Sequence, residues 1–397
     1  MRAGKASVHR KSGPVENGYR DSYVVEPFVP LFANLTTRWF FPNAKWCSPD
    51  PLISFRLTTP TVYGCLSQAQ WLPRDGQEIA MSDGFNLAVQ AGEISFDRSF
   101  FGAPGELVRL SPLVRRIVAG NAGPMTFTGT CTYVVGTGEV AIIDPGPDQP
   151  DHITALLAAL HDETITAIYV THTHKDHSPG ARALKAATGA RILGCAPYDF
   201  TSRDAGNPIN AAHDSDYAPD TILRDGDAIE GKNFSLICVE TPGHAMNHQA
   251  FALPQENALF SGDHVMAWST SVVVPPDGTM RHYMASLTKL LTRADKIYWP
   301  GHGGPVKEPQ SFVRALIQHR RGREKSILSR VMAGDTTVPQ IVVNIYKGLN
   351  PALTNAAALS VLAHLEYLME QGLVRTEGAL ALGGIYRPAL KARSLGE

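Results

Sequence analysis

From about residue 107 onward the chain repeats one arrangement, a short run of β-branched or aromatic residues followed by a turn rich in Gly, Pro, His or Asp. Runs bounded in this way predict strands. They fall at 131–136, 140–143, 167–170, 191–194, 234–239, 250–253, 258–260 and 296–299. Between them, 151–160, 181–188 and 286–294 carry apolar residues at i, i+3 and i+4, the spacing of one helix face. Strands and helices in alternation predict a layered α/β domain.

After the turn at 300–305 the pattern becomes helical. Residues 308–332 read as one long helix, 336–346 as a second that Leu349-Asn350-Pro351 breaks, and 355–371 as a third; 373–386 reads as a hairpin around Glu377-Gly378. Three helices and a hairpin outline a winged helix, a shape that serves nucleic-acid reading and also plain packing or dimerisation. The first 80 residues hold 11 of the 32 aromatics and eight prolines but sustain neither period. They stay unassigned, as a disordered extension or as sequence upstream of a start at Met81. The chain thus divides into an extension (1–80), an α/β domain (81–310) and a small C-terminal domain (311–397).

Composition narrows the class. With 397 residues, 44% of them hydrophobic, there is enough apolar surface for one large or two ordinary domains, which excludes a disordered or small disulfide-stapled chain. No stretch approaches the roughly 18 apolar residues of a membrane span, and the first 30 residues lack the apolar core of a secretory signal. Cys47, Cys65, Cys131, Cys195 and Cys238 are odd in number, far apart and without a C-x-x-C pair, so a reducing, cytoplasmic setting is expected. The net charge of -1 hides an asymmetry: residues 1–80 carry +3, 81–310 carry -9 and 311–397 carry +5. A basic tail is a pointer to an anionic partner.

The chemistry concentrates where a predicted strand runs into His172-Thr173-His174-Lys175-Asp176-His177. Imidazole and carboxylate are ligands for Zn²⁺ and its first-row neighbours, and four of them within six residues suit two adjacent ions better than one. Three more segments set a candidate ligand in a glycine turn after a strand: Thr241-Pro242-Gly243-His244, Ser261-Gly262-Asp263 and Gly301-His302-Gly303. In an open α/β sheet such strand ends gather around one crevice.

These four motifs, in this order, resemble the metallo-β-lactamase superfamily over roughly residues 110–305. The resemblance implies an α/β fold, an αββα sandwich followed here by a small winged-helix domain, with a metal pair at one sheet edge. It implies His172, His174 and His244 on the first ion, Asp176, His177 and His302 on the second, and Asp263 bridging both. It also makes Asp144, after the strand 140–143, a support for the ligand loop. Zinc is the expected metal. Two such ions about 3.5–4 Å apart hold a bridging water, lower its pKa towards roughly 7 and stabilise the oxyanion formed when hydroxide attacks a carbonyl or phosphoryl centre. The expected activity is hydrolysis, with Asp176 and Asp263 as the catalytic carboxylates. His248 and His264, which flank the ligands, read as supporting histidines. Lys175 reads as a solvated side chain, Cys131 as a buried strand residue, and Trp268, Asp277 and Tyr283 as a packed loop or a substrate wall.

Within the superfamily the chain resembles the β-lactamase-like protein 2 group, which joins this metal domain to a winged helix and includes single-strand endoribonucleases. Ser261-Gly262-Asp263-His264-Val265, Pro275-Pro276-Asp277-Gly278 and the basic stretch 319–325 carry that likeness, while Cys131-Thr132-Tyr133 departs from it at a position where related members show Asn. The expected substrate is a single-stranded RNA phosphodiester or a small ester or thioester. The basic stretch favours RNA, because Lys and Arg supply most of the non-specific affinity for phosphates. The alternatives are a glyoxalase II-like thioesterase, against which the terminal hairpin argues, and a winged-helix regulatory protein whose metal domain is a remnant.

Overall fold

The fold, given by a computed structural model, is described for residues 94–200, 208–349 and 351–389, which belong to one compact unit. The extension expected at 1–80 lies outside the described residues. A seven-stranded sheet runs in chain order through β1 (Val108–Arg109), β2 (Val114–Val118), β3 (Cys131–Thr137), β4 (Glu139–Ile143), β5 (Thr164–Val170), β6 (Arg191–Gly194) and β7 (Thr221–Ile222). Its first four strands are antiparallel, and from β4 onward the neighbours are parallel. A five-stranded sheet has the order β12-β11-β10-β9-β8, from β8 (Ala228–Glu230), β9 (Ser235–Glu240), β10 (Gln249–Leu253), β11 (Ala258–Gly262) and β12 (Ile297–Pro300).

The central strands of both sheets are buried on both faces, and the period of two sorts side chains into layers. On β3, β4, β10 and β11 the residues Tyr133, Val135, Ala141, Ile143, Phe251, Leu253 and Phe260 turn into the space between the sheets. Val134, Val140 and Ile142 turn the other way, against α1 (Pro150–Ala159) and α2 (Gly180–Thr188). On the second sheet Ala250, Ala252 and Leu259 turn out against α3 (Met280–Leu290) and the first half of α4 (Pro309–Met332). The layers are therefore αββα, as expected.

α4 continues past this core. Its second half, through Ile327 and Val331, packs with α5 (Val338–Ile345), α6 (Thr354–Glu370) and the hairpin β13 (Val374–Glu377) and β14 (Ile385–Pro388) in a core of its own. This is the winged-helix arrangement. Among the described residues no helix is long and apolar enough to cross a membrane.

One expected helix is displaced. Periodicity points to 286–294, whereas α3 begins at Met280, where Thr279 in extended conformation accepts a hydrogen bond from the His282 N–H as N-cap. It ends at Leu290, and Arg293 then pairs with Asp295 in the turn. Two short strands at the sheet margins, β7 and β8, and the Arg-containing β2 carry too little alternation to stand out in the sequence.

Phe251 is fully buried between the sheets, with its ring edge-on to Tyr169 at 5.2 Å. Phe251→Ala is expected to lower unfolding stability by about 3–5 kcal/mol, from lost transfer energy plus a cavity. A denaturant midpoint unchanged from wild type would contradict this packing.

Candidate metal centre

All seven motif residues come together beyond the carboxyl ends of β5, β9, β11 and β12. β9, β11 and β12 point the same way in their sheet, so the loops after Glu240, Gly262 and Pro300 leave at one edge, facing the loop after Val170. Glycine makes the close approach possible. A Cβ on Gly301 would lie 2.5 Å from the Asp263 Oδ1 and 2.7 Å from the His177 Cε1, and a Cβ on Gly262, at φ 49°, would lie 2.5 Å from the His248 Nε2.

In the first group of three, the His174 Nδ1 lies 2.9 Å from the His172 Nε2 and 3.1 Å from the His244 Nε2. In the second, the Asp176 Oδ2 lies 3.4 Å from the His177 Nε2 and 3.1 Å from the His302 Nε2. Asp263 sits between the groups, with Oδ1 3.5 Å from the His177 Nε2 and Oδ2 3.4 Å from the His302 Nε2 and 3.7 Å from the His244 Nε2.

Outer hydrogen bonds fix the tautomers. The Asp144 carboxylate accepts from the Thr171 N–H and Oγ1–H, both at 2.8 Å, and from the His177 Nδ1–H at 2.9 Å. With its proton given to Asp144, the Thr171 hydroxyl accepts from the His172 Nδ1–H at 2.9 Å. The His244 Nδ1–H donates to the Val272 carbonyl at 2.6 Å and the His302 Nδ1–H to the Gly129 carbonyl at 3.3 Å. Each of these four rings therefore presents a bare Nε2 lone pair to the centre. The buried His177 Nε2, His302 Nε2 and Asp263 Oδ1 have no hydrogen-bond partner. Lone pairs and carboxylates gathered this way repel one another unless a cation lies among them. The donor set, nitrogen with two carboxylates and no thiolate, fits divalent first-row metals.

Titration behaviour fits as well. Burial, with crowding by His177 and His174, presses His172 well below the ordinary histidine range. Burial and the neighbouring His244 and His213 press His174 down to about 3. Both imidazoles are thus neutral donors. Burial pushes the Asp176 and Asp263 carboxyls up, but the facing His177 and His302 outweigh it and hold both well below the usual carboxylate range. Burial likewise opposes charge on His302, yet without a metal ion Asp263 and Asp176 raise it to about 9, so a proton on its Nε2 then stands where a cation would otherwise balance the two carboxylates.

The flanking residues sort themselves. The His248 Nε2 accepts from the Asp263 backbone N–H at 3.1 Å while its Nδ1–H donates to Thr241, so it holds the Asp263 backbone and stays out of the ligand group. His264 is fully buried against the Tyr283 ring, and Tyr283 itself is a core residue of α3 whose hydroxyl donates to the His264 carbonyl. Lys175 is exposed. Burial pushes the Cys131 thiol up to about 11, in keeping with an inert strand residue. Trp268 stacks on Phe127 at 4.9 Å and lines the cavity beside the centre.

Sequence reading missed His213. Its Nε2 lies 3.2 Å from the Asp277 Oδ2, its Nδ1 lies 2.8 Å from the Thr173 hydroxyl, and the Tyr198 ring stacks on it at 3.7 Å. The Asp277 carboxylate also lies 3.9 Å from the outer nitrogen of His174. His213 follows a short 3₁₀ segment with no motif around it, so nothing local marks it.

Residues 125–302 match the family described as Metallo-beta-lactamase superfamily, and residues 337–383 match the Beta-lactamase associated winged helix domain. The chain is similar to Lactamase-like protein nscB of Arthroderma benhamiae, at 32% identity over 71% of this chain and 66% of that protein. It is similar to the Atrochrysone carboxyl ACP thioesterase of Aspergillus fumigatus, at 34% over 55% of this chain and 65% of that protein. It thus spans a little under two thirds of the length of these two relatives. It is also similar to Lactamase-like protein nscB of Arthroderma gypseum, at 32% over 70% of this chain and 92% of that protein. A solved Beta-lactamase domain protein from Burkholderia ambifaria shares the fold, with a TM-score of 0.62 at 20% identity over 73% of this chain and 95% of that one.

Asp144 stands at φ 50°, a left-handed conformation that Asn tolerates. Asp144→Asn keeps that backbone but sets an amide N–H₂ where Thr171 and His177 need an acceptor. Metal affinity is expected to fall roughly 10–100-fold with the circular dichroism spectrum unchanged. Equilibrium dialysis against graded chelator measures it, and wild-type retention would show that Asp144 does not hold the ligands.

Proposed function

Because this chain belongs to the metallo-beta-lactamase superfamily, we propose that it is a two-metal, zinc-dependent hydrolase acting on a thioester of a large and mainly apolar acyl group. The observation that carries the reading is the cavity next to the metal centre. It has a volume of about 1610 Å³, beyond the roughly 300–1,000 Å³ usual for small-molecule sites. His174, Asp176, His244 and Asp263 contribute to its lining, and Trp268, Val273, Leu349, Leu353 and Leu362 make much of the rest apolar. Such a space suits a bulky acyl group better than a short one. The thioesterase name of the Aspergillus fumigatus relative supports the same substrate class.

His172, His174 and His244 would hold one ion and Asp176, His177 and His302 the other, with Asp263 shared. When bound, the ions supply Lewis acidity and lower the pKa of coordinated water. Asp176 and Asp263 keep their charge at the cavity floor, where they would accept hydrogen bonds from the attacking water and orient it. Asp277 and His213 steady His174 from behind, and the stacked Trp268 and Phe127 narrow the access of bulk water to the bound acyl group.

The RNA reading leaned on the basic stretch 319–325. In that stretch Arg320 and Arg323 are each only 4% exposed, so two of its three arginines are turned away from a polyanion in solution. A regulatory protein with a remnant site has no need of seven converging ligands with matching outer hydrogen bonds.

The test is turnover of 2-naphthoyl-N-acetylcysteamine and of labelled single-stranded RNA, each with and without chelator, beside metal analysis of the purified chain. Chelator-sensitive thioester hydrolysis with two metals per chain is expected. Asp263→Ala is expected to slow it about 10³-fold or more, since the ions supply several kcal/mol of transition-state stabilisation. RNA cleavage without thioester turnover would overturn the reading.

A further inference from the structure

The cavity that opens on the metal centre has a second chemical feature. Arg320 and Arg323 of α4 also line it, although each is only 4% exposed. Arg320 donates to the Ser271 carbonyl and lies over the Tyr283 ring at 5.1 Å, with its Nε unpartnered. Arg323 lies over the Tyr346 ring at 4.1 Å and, among the described residues, makes no hydrogen bond or ion pair. Around them are further groups without a negative charge. The His319 Nδ1 has no partner, and the fully buried His364 has none at either ring nitrogen. Burial, with Arg320 and Arg323 nearby, lowers His319 to about 3 and His364 well below the usual range, so neither adds charge and neither neutralises any.

Guanidinium groups stay protonated, and burying one without a counter-charge costs several kcal/mol. Two side by side in a space large enough for a ligand are a site waiting for an anion, and the planar fork of donors suits a carboxylate or a similar oxyanion. Their position bears on which anion. Ser271, whose carbonyl holds Arg320, is followed by Val272, whose carbonyl holds the metal-centre residue His244, so the guanidinium and the centre hang from consecutive peptide units. An anion there shares the cavity with the metal centre.

We propose that Arg320 and Arg323 form an oxyanion subsite that selects acyl groups bearing a carboxylate or another ionised oxygen. The inference rests on the thioesterase reading for its occupant. In the bound state the acyl anion lies against the two guanidiniums, the His319 ring adds a neutral donor, and the apolar walls take the carbon skeleton. An acyl group without such an oxygen leaves two buried cations unpaired and binds more weakly.

The experiment reads binding without turnover, so it stands apart from the fate of the thioesterase reading. Calorimetric titration of the full-length protein, as purified with its metals, compares 2-naphthoate with the isosteric neutral 2-naphthamide. Naphthoate is expected to bind about tenfold tighter or more, as hydrogen bonds to charged groups allow. Arg323→Met is expected to remove that preference by weakening naphthoate binding without weakening that of naphthamide. Arg323→Lys, which keeps the charge but not the fork, serves if the Met variant does not fold, and is expected to lose part of the preference. Equal binding of acid and amide by wild type overturns the proposal, as does a preference that survives in both variants, because it then belongs to the metal centre. Phosphopantetheine is the third probe. If it binds in an Arg323-dependent way while naphthoate does not, the subsite serves the carrier arm and the acyl assignment falls.

Discussion

Electron-rich ligand atoms must be held facing one another for a metal ion, and the rest of the centre is built around that constraint. The Nε2 lone pairs of His172, His177, His244 and His302 and the carboxylates of Asp176 and Asp263 have no reason to converge on their own account. They are held by donors and acceptors on the far side of each ring. Asp144 carries the largest share, because one carboxylate takes three donors and through Thr171 orients a fourth group, the His172 ring. Its left-handed backbone, the bare Cα of Gly301 and the strand ends that bring four loops to one edge all serve the same end.

The parts legible in the sequence are those written locally. His172, His174, Asp176 and His177 share one loop, and each remaining ligand follows a glycine turn after a strand, so motif and spacing suffice to gather them. The αββα layering was legible for a similar reason, since β3, β4, β10 and β11 alternate residues such as Tyr133 and Val134 between two buried faces. His213 was not legible, because its partners Thr173, Tyr198 and Asp277 come from three distant segments. The stretch 319–325 misleads for a related reason. Net charge along the chain records that Arg320 and Arg323 are basic, but the helix turn of 3.6 residues decides which way they point, and here it points both inward.

α4 ties the two halves together. Val313, Leu316 and Ile317 belong to the core beneath the second sheet, and Ile327 and Val331 to the core of the winged helix, on one unbroken helix. The arginines stand between these two sets of anchors, where the cavity lies. The winged helix is therefore a wall of the chamber, and its own packing sets the shape of the space in front of the metal centre.

That placement separates two kinds of information along the gene product. The candidate metal ligands are drawn from residues 172–302, whereas part of the lining of the adjoining cavity comes from residues 319–362. Changes in the second stretch can alter what is admitted while the ligands and their supports stay untouched. On the proposed reading, substitution in the tail alone would change which acyl groups fit, with the arrangement of facing ligand atoms left as it is.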